Sequence, residues 1–321
     1  MTRFPGWAAS LLACPRDGLD LAADDGGLGC AGGHRFPVVD GIPILLLEEA
    51  DPTQPGYWAT QHEVHPAAEL PAAADGIDEY VRLVLLGTGG NLYRAAGARL
   101  DRYPIPVFPC ADGRGRVVVD VGSNWGRWCV AAARSGFRPI GVDPSLGAVR
   151  AARRVASQLG VEAAFAVADG RHLPFRAGSI EMVFSYSVLQ HFSKEDARTC
   201  LRSVGRVLAP GGEALIQMAG SYGPWNLAKQ ARGGFREATR FDVRYWSPAE
   251  LRVAFGDAIG PASLLADGYF SLNPQTADLD LLTPMGRIVV TASGALCRLS
   301  RALPALVAVA DSVYVHARKA A

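Results

Sequence analysis

The sequence predicts an α/β fold: a doubly wound, mostly parallel sheet preceded by a small β-rich unit. Three observations carry that expectation. From Arg114 onward, short apolar runs alternate with helix-period segments, as in strands joined by crossover helices. Residues 117–128 read VVVDVGSNWGRW, an apolar strand that carries an aspartate and passes into a glycine-bearing turn. Residues 1–50 are rich in Gly, Asp and Pro and close on the apolar stretch 42–47.

Three zones follow in chain order. Residues 1–50 form the first unit, and residues 1–60 hold three basic and eight acidic side chains. Residues 51–113 form a linker and helical cap: a proline-rich connection, a helix around 77–86, and the segment NLYRAAGARLDRYPIP. That last segment is placed to cover a ligand, with Tyr93, Arg102 and Tyr103 as contacts. Residues 114–321 form the main domain, with strands at 117–121, 139–142, 163–167, 180–185 and 213–218 and helices between them, for example at 146–159 and 195–207. In such a sheet, ligands bind at the carboxyl ends of the strands near the switch in strand order.

Composition narrows the function classes. A chain of 321 residues with 49% hydrophobic and 20% charged residues buries a large core. A net charge of +1 gives no electrostatic reason to expect a nucleic-acid partner. The six cysteines are scattered, which does not suit a disulfide framework, and Arg3 is followed by Phe4, Pro5 and Gly6 rather than by a signal-type apolar run. A reducing, cytoplasmic setting is the expectation. No transmembrane segment is expected, since no apolar run reaches about 18 residues. The nearest, 303–315, is broken by Pro304 and Asp311.

The strand ends carry residues suited to a nucleoside-like ligand. Gly122 and Gly126 permit a tight strand-to-helix turn, and the helix that follows aims free N–H groups at whatever lies there. Asp143, 21 residues after Gly122, is placed to accept from two ribose hydroxyls. Asp169, in VADGRHLPF, is placed to accept from an adenine amino group. The fourth strand runs into FSYSVLQHF, and the fifth is preceded by VLAPGG. The glycine turn and Asp143 alone suit dinucleotides, nucleoside phosphates and S-adenosylmethionine alike.

Taken in order, DVGSNWG, VDPS, ADGRHLPF and VLAPGG resemble the motifs of the class I S-adenosylmethionine-dependent methyltransferases, over about 200 residues. The resemblance implies a Rossmann-like seven-stranded sheet whose last strand, 311–319, is antiparallel and pairs with a strand near 263–272. It implies that Gly122, Ser123 and Gly126 line the methionine and ribose, that Asp143 holds the ribose, and that Asp169 with Gly170 holds the adenine. Asp120 orients the turn or reaches the amino group through water. Asn124 stands where many relatives have a middle glycine, and asparagine tolerates the positive φ such a turn needs. Trp125, within the turn, is expected to face the ligand, and Trp128 to pack against the sheet. Ser185, at the end of the fourth strand, is a further candidate cofactor contact.

A second resemblance lies in the first unit. Cys14, Asp17, Cys30 and His34 occur as C-x2-D-x12-C-x3-H, similar to the Trm112-like or zinc-ribbon module fused to some methyltransferases, with Asp17 in place of the second cysteine. Zinc accepts carboxylate oxygen, so the four can form a tetrahedral, structural site. The alternative is a ribbon held by the apolar stretch 42–47 instead of a metal.

Methyl transfer needs a base only if the acceptor must lose a proton. His191 is the candidate, against a packing or capping role, while His172 reads as a local hydrogen-bond partner beside Asp169. Tyr186 and Gln190 share the same mouth. Cys129 and Cys200 read as small buried apolar residues. Acceptor choice falls to two insertions, 220–244 and 273–310. The first carries Lys229, Arg232, Arg236, Arg240 and Arg244 with Trp225, Phe235 and Tyr245, a grip for an anionic group or a solvated helix face. The second places Ile288, Val289, Ala292, Leu296 and Leu299 at helical spacing beside Arg287, Arg298 and Arg301. That stripe suits a lid packed over the pocket, or a peripheral membrane contact through 285–310. The expected function is S-adenosylmethionine-dependent methyl transfer to a small-molecule, glycan-type or lipid-linked acceptor. An RNA base methyltransferase, disfavoured by the acidic first unit, and a non-catalytic cofactor-binding partner protein are the alternatives.

Overall fold

The computed structural model describes residues 4–24, 27–47, 76–88, 102–236, 238, 242–270 and 275–321. The N-terminal unit comprises α1 (Gly6–Ala9), β1 (Leu21–Asp24), β2 (Gly27–Cys30), β3 (Arg35–Phe36), β4 (Val38–Val39) and β5 (Ile42–Leu45). Helix α2 (Glu79–Thr88) follows, matching the helix expected around 77–86. The main domain runs β6 (Val117–Val121), α3 (Arg127–Arg134), β7 (Arg138–Asp143), α4 (Leu146–Gln158), β8 (Ala164–Ala168), β9 (Ile180–Ser185), α5 (Lys194–Val207) and β10 (Leu208–Ala219). It is completed by α6 (Pro224–Arg232), α7 (Pro248–Ala258), β11 (Ala262–Gly268), α8 (Pro284–Leu299) and β12 (Ser312–Arg318).

Strands β1, β2 and β3 form a small antiparallel sheet, and the large sheet has the order β11-β12-β10-β9-β6-β7-β8-β5-β4. Strands β10, β9, β6, β7, β8 and β5 pair in parallel, and β12 runs antiparallel between β10 and β11. The run from β11 to β8 is the seven-stranded arrangement that the resemblance implies. Strands β5 and β4 of the N-terminal unit extend it to nine strands among the described residues. Strand β5 pairs Ile44 with Val167 and Leu45 with Ala168, so the end of the N-terminal unit covers what would be the open β8 edge. Ile42 and Leu45 are buried, Ile42 in a cluster with Val149, Ala152, Phe165 and Val167. Asp40 accepts from Arg150 and, through its carbonyl, from Arg153, fastening the β4–β5 turn to α4.

Local sequence explains the elements. β6, β7, β8 and β9 are apolar on both faces because helices cover the sheet on both sides. Helix α4 is capped by Ser145 and α5 by Ser193, while Ser247 and Glu250 form a reciprocal capping box on α7. The fifth main-domain strand begins at Leu208, earlier than expected. Leu208 pairs with Ile180 before the Pro-Gly-Gly stretch shifts the register, and pairing resumes at Glu213 with Met182. Helix α2 packs onto α4 through Tyr80, Val81 and Val84, with Trp125 in the same cluster.

Candidate active site and metal centre

The glycine turn links β6 to α3 at the centre of the sheet. Gly122 has φ +76, Asn124 +46 and Gly126 +80, so asparagine does occupy the left-handed region expected of it. A Cβ on Gly122 would lie 2.3 Å from the Val188 side chain, so the turn has no room for one. The amides of Gly122 and Ser123 both donate to the Val142 carbonyl, at 2.8 and 3.0 Å. Asn124 N–H donates to Asp143 Oδ2 at 3.0 Å and Ser145 N–H to Asp143 Oδ1 at 2.9 Å, which ties the acidic end of β7 to the turn.

The electrostatics of the site follow from burial. Burial pushes the Asp143 carboxyl up to about 6, against the two amides that favour its charge. Burial pushes Asp120 up to about 7, while Cys129 Sγ donates to it at 3.4 Å and the neighbouring Asp143 raises it further. Ser123 Oγ is buried beside Gly141, without a hydrogen-bond partner among the described residues. Asp169 caps the short turn Gly170–His172, and its carboxylate accepts from Arg171 N–H at 2.8 Å and from Arg171 Nη2 at 2.7 Å. Arg171 also reaches Asp196 at 3.0 Å. Asp169 thus stands at the expected strand end already bound to a guanidinium that the sequence reading did not single out.

Other expected contacts take structural roles. Ser185 Oγ donates to the Val121 carbonyl at 2.8 Å and is buried, so it joins β9 to β6. Trp125 does not present an open indole to the turn. It is buried against α2 and lies 5.9 Å from the Tyr103 ring, because α2 and α4 offer it an apolar socket. Trp128 packs on Phe184 and Tyr186, as expected of a residue on the sheet-facing side of α3. Tyr103 OH donates to Gln158 and accepts from Asp78 N–H, and Arg102 pairs with Asp280 at 2.9 Å. Tyr93 lies outside the described residues.

His191 also changes character. Burial and the adjacent Arg244 cation hold its ring down to about 4, and Arg244 Nη1 donates to the His191 carbonyl at 2.7 Å. A ring held that low is a weak proton acceptor near neutral pH, which argues against the general-base role expected of it. The five-cation patch separates accordingly. Arg244 is buried as a staple between His191 and Asp242, Lys229, Arg232 and Arg236 are exposed, and Arg240 lies outside the described residues.

A chain of polar groups that the sequence reading largely missed crosses the carboxyl ends of β9, β10 and β11 and the amino end of the antiparallel β12. Gln190 Nε2 donates to Ser187 Oγ (3.0 Å), and Gln217 Nε2 donates to Gln190 Oε1 (3.3 Å) and Ser312 Oγ (2.8 Å). Ser312 Oγ and Tyr186 OH both donate to Asp267 Oδ2, at 2.7 and 2.9 Å, and Gln275 Nε2 donates to Tyr186 OH at 2.8 Å. Burial pushes Asp267 up to about 6. Ser187 holds φ +61, a conformation that a non-glycine residue adopts at a cost, and its N–H donates to Gln217 Oε1. Only the placement of Tyr186 and Gln190 after a strand was legible in sequence. Asp267, Gln217 and Ser312 are brought to them by non-local pairing.

In the N-terminal unit, one ligand atom each from Cys14, Asp17, Cys30 and His34 falls within 4.8 Å of the others. His34 Nδ1 lies 2.9 Å from Asp17 Oδ2, 3.4 Å from Cys30 Sγ and 3.5 Å from Cys14 Sγ. A tetrahedron of ligands around zinc has edges of about 3.6 Å, so the four donors already stand close to that spacing.

Residues 118–212 match a family described as "Methyltransferase domain". An uncharacterized methyltransferase of Mycobacterium avium (strain 104) is 31% identical over 159 residues, 48% of this chain and 60% of the relative. The biotin biosynthesis bifunctional protein BioHC of Cellvibrio japonicus is 32% identical over 142 residues, 44% of this chain and 26% of that protein. The matched segment therefore spans less than two thirds of these relatives' own length. Among solved structures, the chain is similar to Haemonchus contortus phosphoethanolamine N-methyltransferase 2 in complex with S-adenosyl-L-methionine. That likeness has a TM-score of 0.47 and 17% identity, and covers 75% of this chain and 60% of the other. Residues 118–212 thus carry the signature of a methyltransferase domain, on the strands and the glycine turn described above.

Proposed function

We propose that this protein transfers a methyl group from S-adenosylmethionine to a small-molecule, glycan-type or lipid-linked acceptor. The observation that carries the reading is Asp143, a buried carboxylate held by two backbone amides beside a glycine turn that has no room for a Cβ. Three features support the fit of the cofactor. Gly122 and Gly126 let the backbone come close, the partnerless Ser123 Oγ awaits a hydrogen bond, and Asp143 suits a pair of ribose hydroxyls. When bound, S-adenosylmethionine supplies an activated methyl group displaced in line by the acceptor, so positioning and water exclusion are the protein's main tasks.

In this reading Gly122, Ser123, Asn124 and Gly126 form the methionine and ribose cradle, with Asp120 setting the turn. Asp169 and Gly170 bound the adenine. The Arg171 pairing leaves Asp169 as a wall that also fixes the Gly170 backbone, more than as a solitary acceptor. Tyr186 and Gln190 meet the acceptor, and Asp267, Gln217 and Ser312 hold them in place. In the N-terminal unit we place a structural zinc on Cys14, Asp17, Cys30 and His34, since two thiols, an imidazole nitrogen and a carboxylate oxygen form a closed donor set with no open position for catalysis.

Titration calorimetry with S-adenosylhomocysteine tests the cofactor assignment. Binding by the wild type that is lost in Asp143→Ala is expected, and no binding, or binding unchanged by the substitution, refutes it. A labelled methyl-transfer screen over extracts of the producing cell identifies the acceptor. Elemental analysis settles the metal, with about one zinc per chain expected.

A further inference from the structure

We propose that the outer face of α8 and the short helical turn Pro304–Val309 form a docking surface for an anionic lipid bilayer. The proposal concerns a surface, and it stands whichever acceptor the site takes. No helix among the described residues is long and apolar enough to cross a membrane, so the contact is interfacial.

Helix α8 lies between β11 and β12 in the chain and is seated by one side only. Gly286 and Val290 are buried, and Ser293 Oγ accepts from Tyr269 N–H at 2.8 Å. At about 100° per residue, Met285, Ile288, Ala292, Ala295 and Leu299 share a second stripe turned well away from that inner side. This stripe is open to solvent: Met285 is 68% exposed, Ile288 62% and Leu299 47%, and it continues into exposed Leu303 and Val309. The sequence favoured a packed lid. The structure packs α8 through Gly286, Val290, Leu296 and Cys297 and leaves Ile288, Ala292 and Leu299 of the predicted stripe exposed.

Charge decides what this stripe fits. Residues 284–310 contain Arg287, Arg298 and Arg301 and no Asp or Glu. Helix α6 stands close by, because the buried Asp311 accepts from Asn226 N–H at 2.8 Å and from Phe270 N–H at 2.7 Å, while Tyr269 OH donates to the Leu306 carbonyl at 3.0 Å. Around that helix, residues 220–236 add Lys229, Arg232, Arg236 and the exposed Trp225 and Phe235, again with no carboxylate. The nearest acid at the start of α8, Asp280, is paired with Arg102. The two segments, which meet at Asp311, thus carry six cations between them along with exposed apolar and aromatic side chains, the combination that inserts at an interface and attracts anionic headgroups. A second copy of the chain fits less well, since a two-fold pairing would set the same arginines against each other.

Flotation of the full-length protein with phosphatidylcholine vesicles, plain or doped with phosphatidylglycerol, tests the proposal. Binding to the doped vesicles that weakens with salt is expected. Ile288→Asp with Leu299→Asp should reduce partitioning at least about tenfold, and Arg298→Gln with Arg301→Gln by roughly fivefold per arginine removed, from the usual contribution of a cation at an anionic surface. All four positions are on the surface, so far-UV dichroism and thermal unfolding should match the wild type. Three results overturn the proposal: no binding to doped vesicles, binding unchanged in both variants, or a wild-type dimer in sedimentation velocity that Ile288→Asp with Leu299→Asp dissociates.

Discussion

Asp143 accepts the Asn124 backbone N–H at 3.0 Å, so the carboxylate at the end of β7 and the glycine turn after β6 are one rigid unit. The side chain proposed to hold the ribose therefore also shapes the loop beside it.

Removing that charge should separate binding from stability. Asp143→Asn is expected to weaken S-adenosylhomocysteine about tenfold to a hundredfold, the range for losing a charged hydrogen-bond acceptor. It should also stabilise the unliganded protein above neutral pH. Asp143 is raised to about 6, and Asp120 and Asp267 to about 7 and 6. Each titrates later in the folded than in the unfolded chain, so their stability contribution is present near pH 4 and is lost as pH rises through the folded value. Chemical denaturation of the wild type and Asp143→Asn at about pH 4.5 and about pH 8 checks this. The variant should gain on the order of 2 kcal/mol relative to wild type between those conditions.

His191 acts with the opposite sign. Its folded value, lowered to about 4, lies below the ordinary histidine range, so the unfolded chain takes up the proton first and stability falls as pH drops from about 6.5 to about 4. His191→Gln should flatten that acid limb, and once an acceptor is known it should leave the pH–rate profile without a lost inflection near 6.5. A kcat that collapses in His191→Gln with the fold intact would restore the base role.

Gly122→Ala combines a positive φ with a Cβ 2.3 Å from Val188. A loss of about 2–4 kcal/mol in unfolding free energy is expected, with a partial return on adding Val188→Ala. Full recovery in the double variant would show that backbone strain contributes nothing.

The N-terminal unit should prove part of the main fold. Ile42→Ala deletes a fully buried side chain of β5 and is expected to cost about 2–4 kcal/mol. With β5 loosened, the β8 edge opens, and aggregation on heating should begin earlier. Removing metal with a chelator should act elsewhere: amide exchange should quicken in β1 to β3, which carry or adjoin the Cys14, Asp17, Cys30 and His34 site, and leave β5 protected.

The alternating apolar runs, the left-handed turn through Asn124 and the Cys14, Asp17, Cys30 and His34 spacing were legible along the chain, because each depends on residues near in sequence. The same holds for Trp128, whose packing follows from its place on α3. Pairings between distant segments were not legible: β5 against β8, Arg171 on Asp169, Asp267 under Tyr186, and Arg244 beside His191. Trp125 shows the limit. Its place in a ligand-bearing turn was plain, but the apolar socket that takes its ring is built by α2, more than 30 residues earlier. What the sequence by itself determined is the class of fold and the chemistry of the strand ends, which local periodicity and turn stereochemistry dictate. Only the tertiary structure decided which of those side chains are left for a ligand and which are consumed by packing, because burial and partner choice are set by contacts that chain distance does not encode.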